Sequence, residues 1–430
     1  MEHKELLETI KGYHRDTDEN VIGVGYGYKT VNGIITEDLS IIFIVKEKLP
    51  KENLTQEQLL PKEITIQDQV YPTDVVQCKF KLLGVSDCDP SFYTWRTSPP
   101  ANRNEQRPLQ GGISIGNYTN TGINSSGYPM KDYVGTMGLL ANDNETGALV
   151  GLTNNHVVIF DAFICSERTL SGTNSTIVNN IKGNIVTQPN EFSQYGLTYS
   201  IGTVKKYYPL RLPGAYPFIY NDIDAAMFTI DAVNVSSSIS FHQLNLVNSS
   251  YPWASTSEID NLLVTNPLLY STGRTTGAKG EGVTKLRPTQ FTIVAVDYNL
   301  QGTSTTVYYQ DVIMFVATLT VSGPITDTCY DPISGGDSGS ALIADFAGIK
   351  KVIGLVFAGA EDGTGKTIYG VACRIDKVAA LLNVSAWNGE SINYSNVTGT
   401  LELDINGRDN REYIDHTDGH RYWQVGLKNI

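Results

Sequence analysis

The chain has 430 residues, enough for two or three domains that each bury their own core, and only 18% of the residues are charged. Its 40 glycines and 24 tyrosines favour strands and turns over long helices, so a coiled coil and a disordered chain are poor fits. The formal net charge of −13 repels phosphate backbones and anionic lipid, and we therefore expect no nucleic-acid and no membrane partner.

The apolar runs and the cysteines add two further expectations. Runs such as 312–321 and 352–360 are about half the ~20 residues that a helix needs to cross a bilayer. The first twenty residues are polar and contain no apolar signal segment, so a cytoplasmic protein is expected. The five cysteines lack CxxC spacing, which argues against a disulfide framework or a zinc site. They are Cys78, Cys88, Cys165, Cys329 and Cys373.

Residues 1–106 are predicted to form a small N-terminal α+β module that ends in a linker. Val21–Lys29 and Ser40–Lys46 have the alternation of strands, and 50–60 has the composition of a short helix. The stretch 86–107 is rich in Asp, Ser, Pro and Asn and shows no periodicity, as is typical of a linker. We therefore expect this module to fold separately and to regulate or localise the rest of the chain.

Residues 107–385 are predicted to form a mainly β domain. Short β-like runs alternate there with clusters of Gly, Asn, Asp and Ser, and helical periodicity appears only at Asp376–Leu382. This pattern indicates antiparallel sheets closed as barrels or sandwiches. Residues 386–430 are polar and Asn-rich and form a C-terminal extension for which the pattern predicts no structure.

The sharpest motif is the glycine-rich run Gly335–Ser340, which contains Ser338 and precedes an apolar segment typical of a strand. A nucleophilic serine needs an exposed hydroxyl and nearby backbone N–H donors, and glycine neighbours let a substrate carbonyl approach that backbone. A Gly-Ser turn between two strands is the alternative interpretation. The presence of a partner base and acid decides between the two.

His156 is the best candidate for the general base. It follows the apolar run that begins at Gly151, so its ring can lie at a strand end and face a cleft. The other histidines lie in the N-terminal module, in a Ser-rich segment without a neighbouring glycine or acid, or in the polar C-terminal tail. They are His3, His14, His242, His416 and His420.

The acid that would orient His156 has two candidates, Asp222 and Asp224, which both precede a small, apolar strand. A buried aspartate can be held at such a position, where it fixes the tautomer of the imidazole and stabilises the imidazolium. Small residues follow Asp224 directly and suit close packing under a histidine ring. This spacing favours Asp224 but leaves Asp222 open.

These motifs resemble the chymotrypsin-like (trypsin-fold) serine peptidases, in particular bacterial-type members with an N-terminal extension. The segments 152–157, 222–226, 335–340 and 354–359 occur in the order of that family. The resemblance covers roughly residues 107–385. It implies a chymotrypsin-like double antiparallel β-barrel, with the N-terminal α+β domain as an addition.

The resemblance also implies a role for each matching residue. Ser338 would be the nucleophile, His156 the general base and acid, and Asp224 the orienting acid, while the N–H groups of Gly336 and Ser338 would form the oxyanion hole. The implied reaction is hydrolysis of a protein or peptide substrate through an acyl-enzyme, without cofactor or metal. The chain lacks the cysteine that flanks the family's histidine and an activation site before an Ile-Val start. Asp337 is therefore left without an N-terminal ammonium partner.

The family's specificity pocket lies between the segment before the nucleophile and a strand about twenty residues after it. By the resemblance, the residues that would line it here are Pro332, Ile333, Phe357, Gly359 and Gly370. These residues imply an apolar floor with room for a large side chain. Asp331 is the exception, since a small shift of the loop would turn it towards the pocket and favour Arg or Lys.

Four competing interpretations are weaker. Residues 360–367 nearly spell a phosphate-binding loop, but a β-branched run follows where a helix is required. An α/β-hydrolase needs a helix after its serine, whereas 339–348 is short and turn-bounded. The two histidines at 416 and 420 lack the further ligands of a metal site. The remaining alternative is a catalytically silent, peptidase-like binding or scaffold module.

Overall fold

The computed structural model describes residues 3–14, 19–31, 34–82, 109–118, 134–159, 185–188, 200–208, 210–211, 220–230, 251–280, 284–300, 303–319, 331–362, 367–387, 399–401, 414–415, 421–422 and 427–429. The expected linker at 86–107, three of the cysteines and the histidines at 242, 416 and 420 lie outside these ranges. Over the described residues the protein is mainly β, as the composition predicted.

Five helices lie in the described part of the chain. They are α1 (His3–Lys11), α2 (Asn155–Val158), α3 (Thr256–Asp260), α4 (Leu262–Thr265) and α5 (Ile375–Leu382). None of the helices found among the described residues is long and apolar enough to span a membrane. The prediction of a helix at 50–60 is wrong. Two short 3₁₀ turns take its place at Lys51–Asn53 and Gln56–Gln58, and neither has a buried residue that could anchor a longer helix to the core.

The strands are named here in chain order. The N-terminal ones are β1 (Val21–Val31), β2 (Ile34–Val45), β3 (Glu63–Ile66), β4 (Gln69–Gln77) and β5 (Lys79–Lys81). Those of the next region are β6 (Ser114–Tyr118), β7 (Val134–Thr136), β8 (Leu139–Asp143), β9 (Leu149–Thr153), β10 (Ile185–Thr187), β11 (Ser200–Tyr207), β12 (Tyr220–Asn221) and β13 (Ala226–Thr229).

The second half of the chain contributes the remaining strands. They are β14 (Leu268–Gly273), β15 (Gly277–Lys279), β16 (Thr284–Leu300), β17 (Thr303–Leu319), β18 (Ala341–Phe346), β19 (Ile349–Glu361), β20 (Thr367–Arg374) and β21 (Val384–Ala386). Four short strands follow as two separate pairs, β22 (Gly399–Leu401) with β25 (Leu427–Asn429) and β23 (Ile414–Asp415) with β24 (Arg421–Tyr422).

Two large sheets make up the body of the protein, as expected for a double-barrel architecture. One sheet has the strand order β21-β8-β9-β13-β11-β10-β6-β7. In the other, antiparallel pairing runs from β14 through β16, β17, β20, β19 and β18 and returns to β14, so these strands close into a barrel. The buried apolar residues of both sheets form one continuous core.

The N-terminal strands are part of the barrel sheet. β1 pairs antiparallel with β16, and β2, β4 and β3 follow outward from β1. β5 lies between β16 and β19 and pairs with both. These hydrogen bonds argue against the separate folding that the composition of 86–107 suggested. The domain limits 1–106, 107–385 and 386–430 stay a prediction.

Helix α1 is bound to the same body through buried charges. The Nε2 atom of His3 lies 2.7 Å from Oδ1 of Asp311, which is on β17. The guanidinium of Arg374, at the end of β20, lies 3.0 Å from the other oxygen of Asp311 and 2.8 Å from Asp376. Burial raises the pKa of the Asp311 carboxyl, but the hydrogen bond from His3 and the charges of Lys377 and Arg374 outweigh burial and hold the pKa below its ordinary value. The N-terminal helix is therefore fixed to the barrel by charge-assisted hydrogen bonds.

Replacing Gly25 by alanine is expected to destabilise the whole protein by about 1–3 kcal/mol, because overpacking forces the backbone apart. The added Cβ would lie 2.4 Å from the carbonyl oxygen of Phe291 on β16. Scanning calorimetry should show one unfolding transition, moved to lower temperature. Gly12→Ala is the control, since its nearest contact would be an ordinary 3.4 Å. Two transitions, of which only the smaller one shifts, would support an independent N-terminal module instead.

Candidate active site

The register of two strands brings His156 and Asp224 together. Ala226 on β13 pairs with Thr153 on β9, and the strands run antiparallel. The residues before 226 therefore lie beside the residues after 153. The side-chain amide of Asn154 donates to the backbone carbonyl of Asp224 at 2.6 Å and fixes this corner. The short helix α2 then turns the ring of His156 towards the carboxylate.

His156 and Asp224 form a buried, charge-assisted pair. The Nδ1 atom of His156 lies 2.7 Å from Oδ2 of Asp224, and the backbone N–H of His156 donates to Oδ1 at 3.4 Å. Asp224 is fully buried and His156 is 7% exposed. Because an ionised carboxylate can only accept, Nδ1 carries the hydrogen and Nε2 is left as the basic nitrogen.

Asp222, the competing acid, lies at a different place. Its Oδ1 atom accepts hydrogen bonds from Nζ of Lys377 at 3.0 Å and from Nε2 of Gln310 at 3.1 Å. Its side chain is 29% exposed, in contrast with the buried Asp224. The structure therefore places Asp224 next to His156 and Asp222 on the face that carries α5.

Ser338 lies in a tight loop between the two sheets. The backbone N–H of Thr136, on β7, donates to the carbonyl oxygen of Ser338 at 2.7 Å, and the N–H of Gly339 donates to that of Val356 at 2.8 Å. The Oγ atom of Ser338 lies 3.4 Å from the carbonyl oxygen of Phe357, a long hydrogen bond. The serine is thus tied to β7 of one sheet and to β19 of the other.

Gly135 shows that this loop and the histidine helix are neighbours. A Cβ at Gly135 would lie 2.4 Å from a methyl group of Val157 and 2.7 Å from the carbonyl oxygen of Ser338. The residue that follows His156 and the candidate nucleophile therefore both pack against one glycine. Only a residue without a side chain allows this close approach.

Hydroxyl groups and a left-handed backbone hold the loop in shape. Gly336 has φ +92° and Gly339 has φ +95°, a region that side chains disfavour. Thr136 Oγ1 donates to the carbonyl of Gly336 at 2.9 Å, and Thr275 Oγ1 donates to that of Gly335 at 2.6 Å. These hydrogen bonds therefore fix the shape of the loop 335–339.

Asp337, which the sequence left without an ammonium partner, accepts hydrogen bonds from backbone N–H groups. Oδ1 accepts from Thr275 at 2.9 Å and from Thr276 at 3.1 Å, and Oδ2 accepts from Ser334 at 2.8 Å. Burial raises the pKa of this carboxyl, and the N–H groups act in the opposite direction. These three hydrogen bonds anchor the Asp337 carboxylate.

The residues predicted to line the specificity pocket lie in two parts of the barrel sheet region. Pro332 and Ile333 are buried, as an apolar wall requires. The ring of Phe357 packs against Tyr309 at a centroid distance of 4.6 Å, so its carbonyl, and not its side chain, faces Ser338. The ring of Phe315 fills the space at Gly370, where a Cβ would lie 2.2 Å from it.

Gly359 contacts strands on both of its edges. It pairs with Gly370 of β20 on one side and with Lys81 of β5 on the other. The N-terminal segment therefore contributes directly to the wall that the sequence assigned to the pocket. A large substrate side chain at this wall stays a prediction, and at Gly370 it would share the space with the ring of Phe315.

Two tyrosines at this site escaped the sequence analysis. The hydroxyl of Tyr298 lies 2.7 Å from Oδ2 of Asp224, and the hydroxyl of Tyr309 lies 2.5 Å from that of Tyr298. Both belong to the β16–β17 hairpin, 74 residues or more from the acid in sequence. Tyrosine is common in strands, so no local signal distinguishes these two from the other tyrosines of the chain.

The metal-ligating and thiol groups of the described residues complete the inventory of reactive side chains. Among the residues that the structure describes, no group of three or more His, Cys, Asp or Glu side chains could hold a metal ion. Cys78 and Cys373 are free and buried, and burial raises the pKa of each thiol to about 12. Neither thiol is therefore a ready nucleophile at neutral pH.

Comparison with known proteins gives structural neighbours alone. No protein-family model and no curated protein matches the chain. Similar solved structures include a glutamic acid specific serine protease that utilizes a histidine triad in substrate binding, with 12% identity, a TM-score of 0.36, and coverage of 65% of this chain and 100% of that one. The chymotrypsin of Cellulomonas bogoriensis has 11% identity and a TM-score of 0.35, and protease A of Thermobifida fusca has 12% and 0.33. For both, the match covers 65% of this chain and 98% of the other.

These neighbours are chymotrypsin-like serine proteases. At such identities and TM-scores, the likeness carries no argument about activity. What supports a function for this chain is the geometry of its own site.

Proposed function

We propose that this protein is a serine endopeptidase that hydrolyses peptide bonds of a protein or peptide substrate through an acyl-enzyme. The observation that carries the proposal is the buried pair of His156 and Asp224, with Nδ1 and Oδ2 2.7 Å apart. His156 is on α2, and the next residue of this helix, Val157, packs with Ser338 against Gly135. A histidine whose Nδ1 hydrogen is held by a buried carboxylate presents a basic Nε2.

In the proposed reaction, Nε2 of His156 removes the proton from Oγ of Ser338 as this oxygen attacks the scissile carbonyl carbon. Asp224 stabilises the imidazolium that results. His156 then returns the proton to the leaving amine, and the acyl group stays on Ser338. A water molecule, deprotonated by the same Nε2, attacks the ester carbonyl and releases the acid.

Gly336 and Ser338 are proposed to form the oxyanion hole through their backbone N–H groups. The N–H of Asp337 donates to the carbonyl of Ser334 at 3.0 Å, and that of Gly339 donates to Val356. The other two N–H groups of the 336–339 loop belong to Gly336 and Ser338. Donors that are fixed before the reaction stabilise the developing oxyanion without reorganisation.

A fluorophosphonate probe tests the proposal, because it reacts with activated serines. We expect the wild-type protein to be labelled and the Ser338→Ala variant to lose all labelling. Ser340→Ala is the matched control from the same motif. Its hydroxyl is buried and lies 3.2 Å from that of Ser271, so labelling should persist. A wild-type protein that resists the probe would favour the silent scaffold instead.

A further inference from the structure

One oxygen of Asp224 has two hydrogen-bond donors, one from helix α2 and one from strand β16. Oδ2 lies 2.7 Å from Nδ1 of His156 and also 2.7 Å from the hydroxyl of Tyr298. The ring of Tyr298 meets that of His156 edge-on, at a centroid distance of 6.0 Å. The tyrosine therefore touches both members of the pair.

The direction of the hydrogen bonds follows from the chemistry of the groups. Burial and the charge of Asp224 raise the pKa of Tyr298 and of Tyr309 well above the ordinary value, so both phenols are neutral. The carboxylate has no hydrogen to give, so Tyr298 must donate to Asp224. Tyr298 then has no second hydrogen, and Tyr309 must donate to Tyr298. The chain of donors runs from Tyr309 through Tyr298 to Asp224.

We propose that Tyr298, supported by Tyr309, is a positioning residue that fixes the carboxylate of Asp224 towards His156. The inference rests on the proposed peptidase function, since it gives that site a fourth member. A fully buried carboxylate is costly unless donors surround it. Among the described residues its donors are Nδ1 of His156 and the hydroxyl of Tyr298, each at 2.7 Å, and the backbone N–H of His156 at 3.4 Å. Without it, the carboxylate loses a fixed orientation and a source of charge stabilisation.

The hairpin that carries the two tyrosines also explains how the sheets are coupled. Asp224 precedes β13 of one sheet, whereas Tyr298 and Tyr309 are on β16 and β17 of the other. The ring of Tyr309 stacks with that of Tyr298 and contacts Phe357, whose carbonyl faces Ser338. The hairpin therefore contacts the acid through Tyr298 and contacts Phe357, the neighbour of the nucleophile, through Tyr309.

The titratable groups near Asp224 define the pH test. They are His156 from α2, Tyr298 from β16, Tyr309 from β17, Cys373 from β20, and Tyr208, which lies just beyond β11. The phenols and the thiol all have a pKa above the ordinary value and keep their protons near neutrality. Tyr298 acts directly on the pair of His156 and Asp224 through its hydrogen bond to Oδ2. Removal of a donor from the negatively charged partner favours uptake of a proton by that pair.

The experiment compares Tyr298→Phe with wild type in the full-length protein. Hydrogen bonds to charged groups set the scale, so we expect kcat to fall about 10- to 100-fold with KM unchanged. The acid limb of the pH profile of kcat/KM should move to higher pH. Tyr309→Phe should change both quantities in the same direction but less. Tyr251→Phe, which removes a buried hydroxyl outside the β16–β17 hairpin, should change neither.

A second readout does not depend on turnover. The proton on Nδ1 of His156 can be followed by NMR in histidine-labelled protein and assigned with a His156→Gln variant. In Tyr298→Phe this resonance should move or broaden, because the carboxylate that receives the proton is no longer fixed. A wild-type protein that the fluorophosphonate probe does not label would contradict the peptidase proposal. The Nδ1 resonance would still decide whether Tyr298 positions the carboxylate of Asp224.

The inference is overturned if Tyr298→Phe keeps the wild-type kcat, acid limb and Nδ1 resonance. It is equally overturned if only the melting temperature falls, since a tyrosine that merely fills the core would do that. A change in the pH profile and in the resonance, with KM preserved, is the result that a positioning role requires.

Discussion

Ser338→Ala and His156→Ala are each expected to lower kcat by about 10⁵- to 10⁶-fold, as the loss of one member of a cooperating triad does. The serine supplies the bond-forming oxygen, and the histidine supplies the base that activates it. The double variant should be little worse than either single variant, because neither group functions without the other. The measurement is single-turnover and steady-state hydrolysis of a peptide substrate identified from a library.

A buried histidine outside the proposed triad provides the control. His14 lies 2.9 Å from the hydroxyl of Tyr220, and burial lowers its pKa to about 4. His14→Asn should therefore leave kcat near the wild-type value. Strictly additive losses in the double variant, or turnover that survives Ser338→Ala, would show that the nucleophile or its base has been misassigned.

The meeting of His156 with Asp224 could be anticipated from sequence because both residues flank strand segments with clear patterns. His156 follows β9 and Asp224 precedes β13, and antiparallel pairing of two such strands brings their opposite ends together. The choice between Asp224 and Asp222 depended on the small residues behind Asp224. In the structure the carboxylate of Asp224 lies against His156, whereas that of Asp222 contacts Lys377.

Tyr298 could not be anticipated in this way. Its contact with Asp224 depends on how one sheet packs against the other, and that packing leaves no local pattern in the chain. The space around the predicted pocket residues cannot be anticipated from local sequence for a related reason. Whether the space at Gly370 stays open is decided by Phe315, a residue on a different strand.

The N-terminal segment illustrates a second limit of sequence patterns. The composition of 86–107 is typical of a linker, and it predicts a break in regular structure there. It contains no information about strand pairing before the break. The glycines at 23, 25 and 27 are the sequence feature that relates to this pairing. A Cβ added at any of them would lie within about 2.5 Å of a carbonyl oxygen of β16. Their spacing marks close backbone contact between β1 and β16.

Asp224→Asn is expected to lower kcat by about 10⁴-fold, whereas Asp222→Asn should leave it near the wild-type value. Asp222 is partly exposed, and its ion pair with Lys377 is of the kind that contributes at most about 1 kcal/mol. Asp222→Asn is thus a matched control, two positions away and with the same chemical change. The readout is kcat together with the melting temperature of each variant.

The physical reason for the large effect at Asp224 is that the three groups hydrogen-bonded to its carboxylate among the described residues are all donors. Oδ2 faces Nδ1 of His156 and the hydroxyl of Tyr298, and Oδ1 faces the backbone N–H of His156. An asparagine must turn its NH₂ group towards one of these sides. If NH₂ faces Nδ1, the ring changes tautomer and Nε2 can no longer accept the proton of Ser338. If it faces the backbone N–H, the tautomer survives but no charge remains to stabilise the imidazolium. A crippled Asp222→Asn beside a fully active Asp224→Asn would reverse the assignment of the acid.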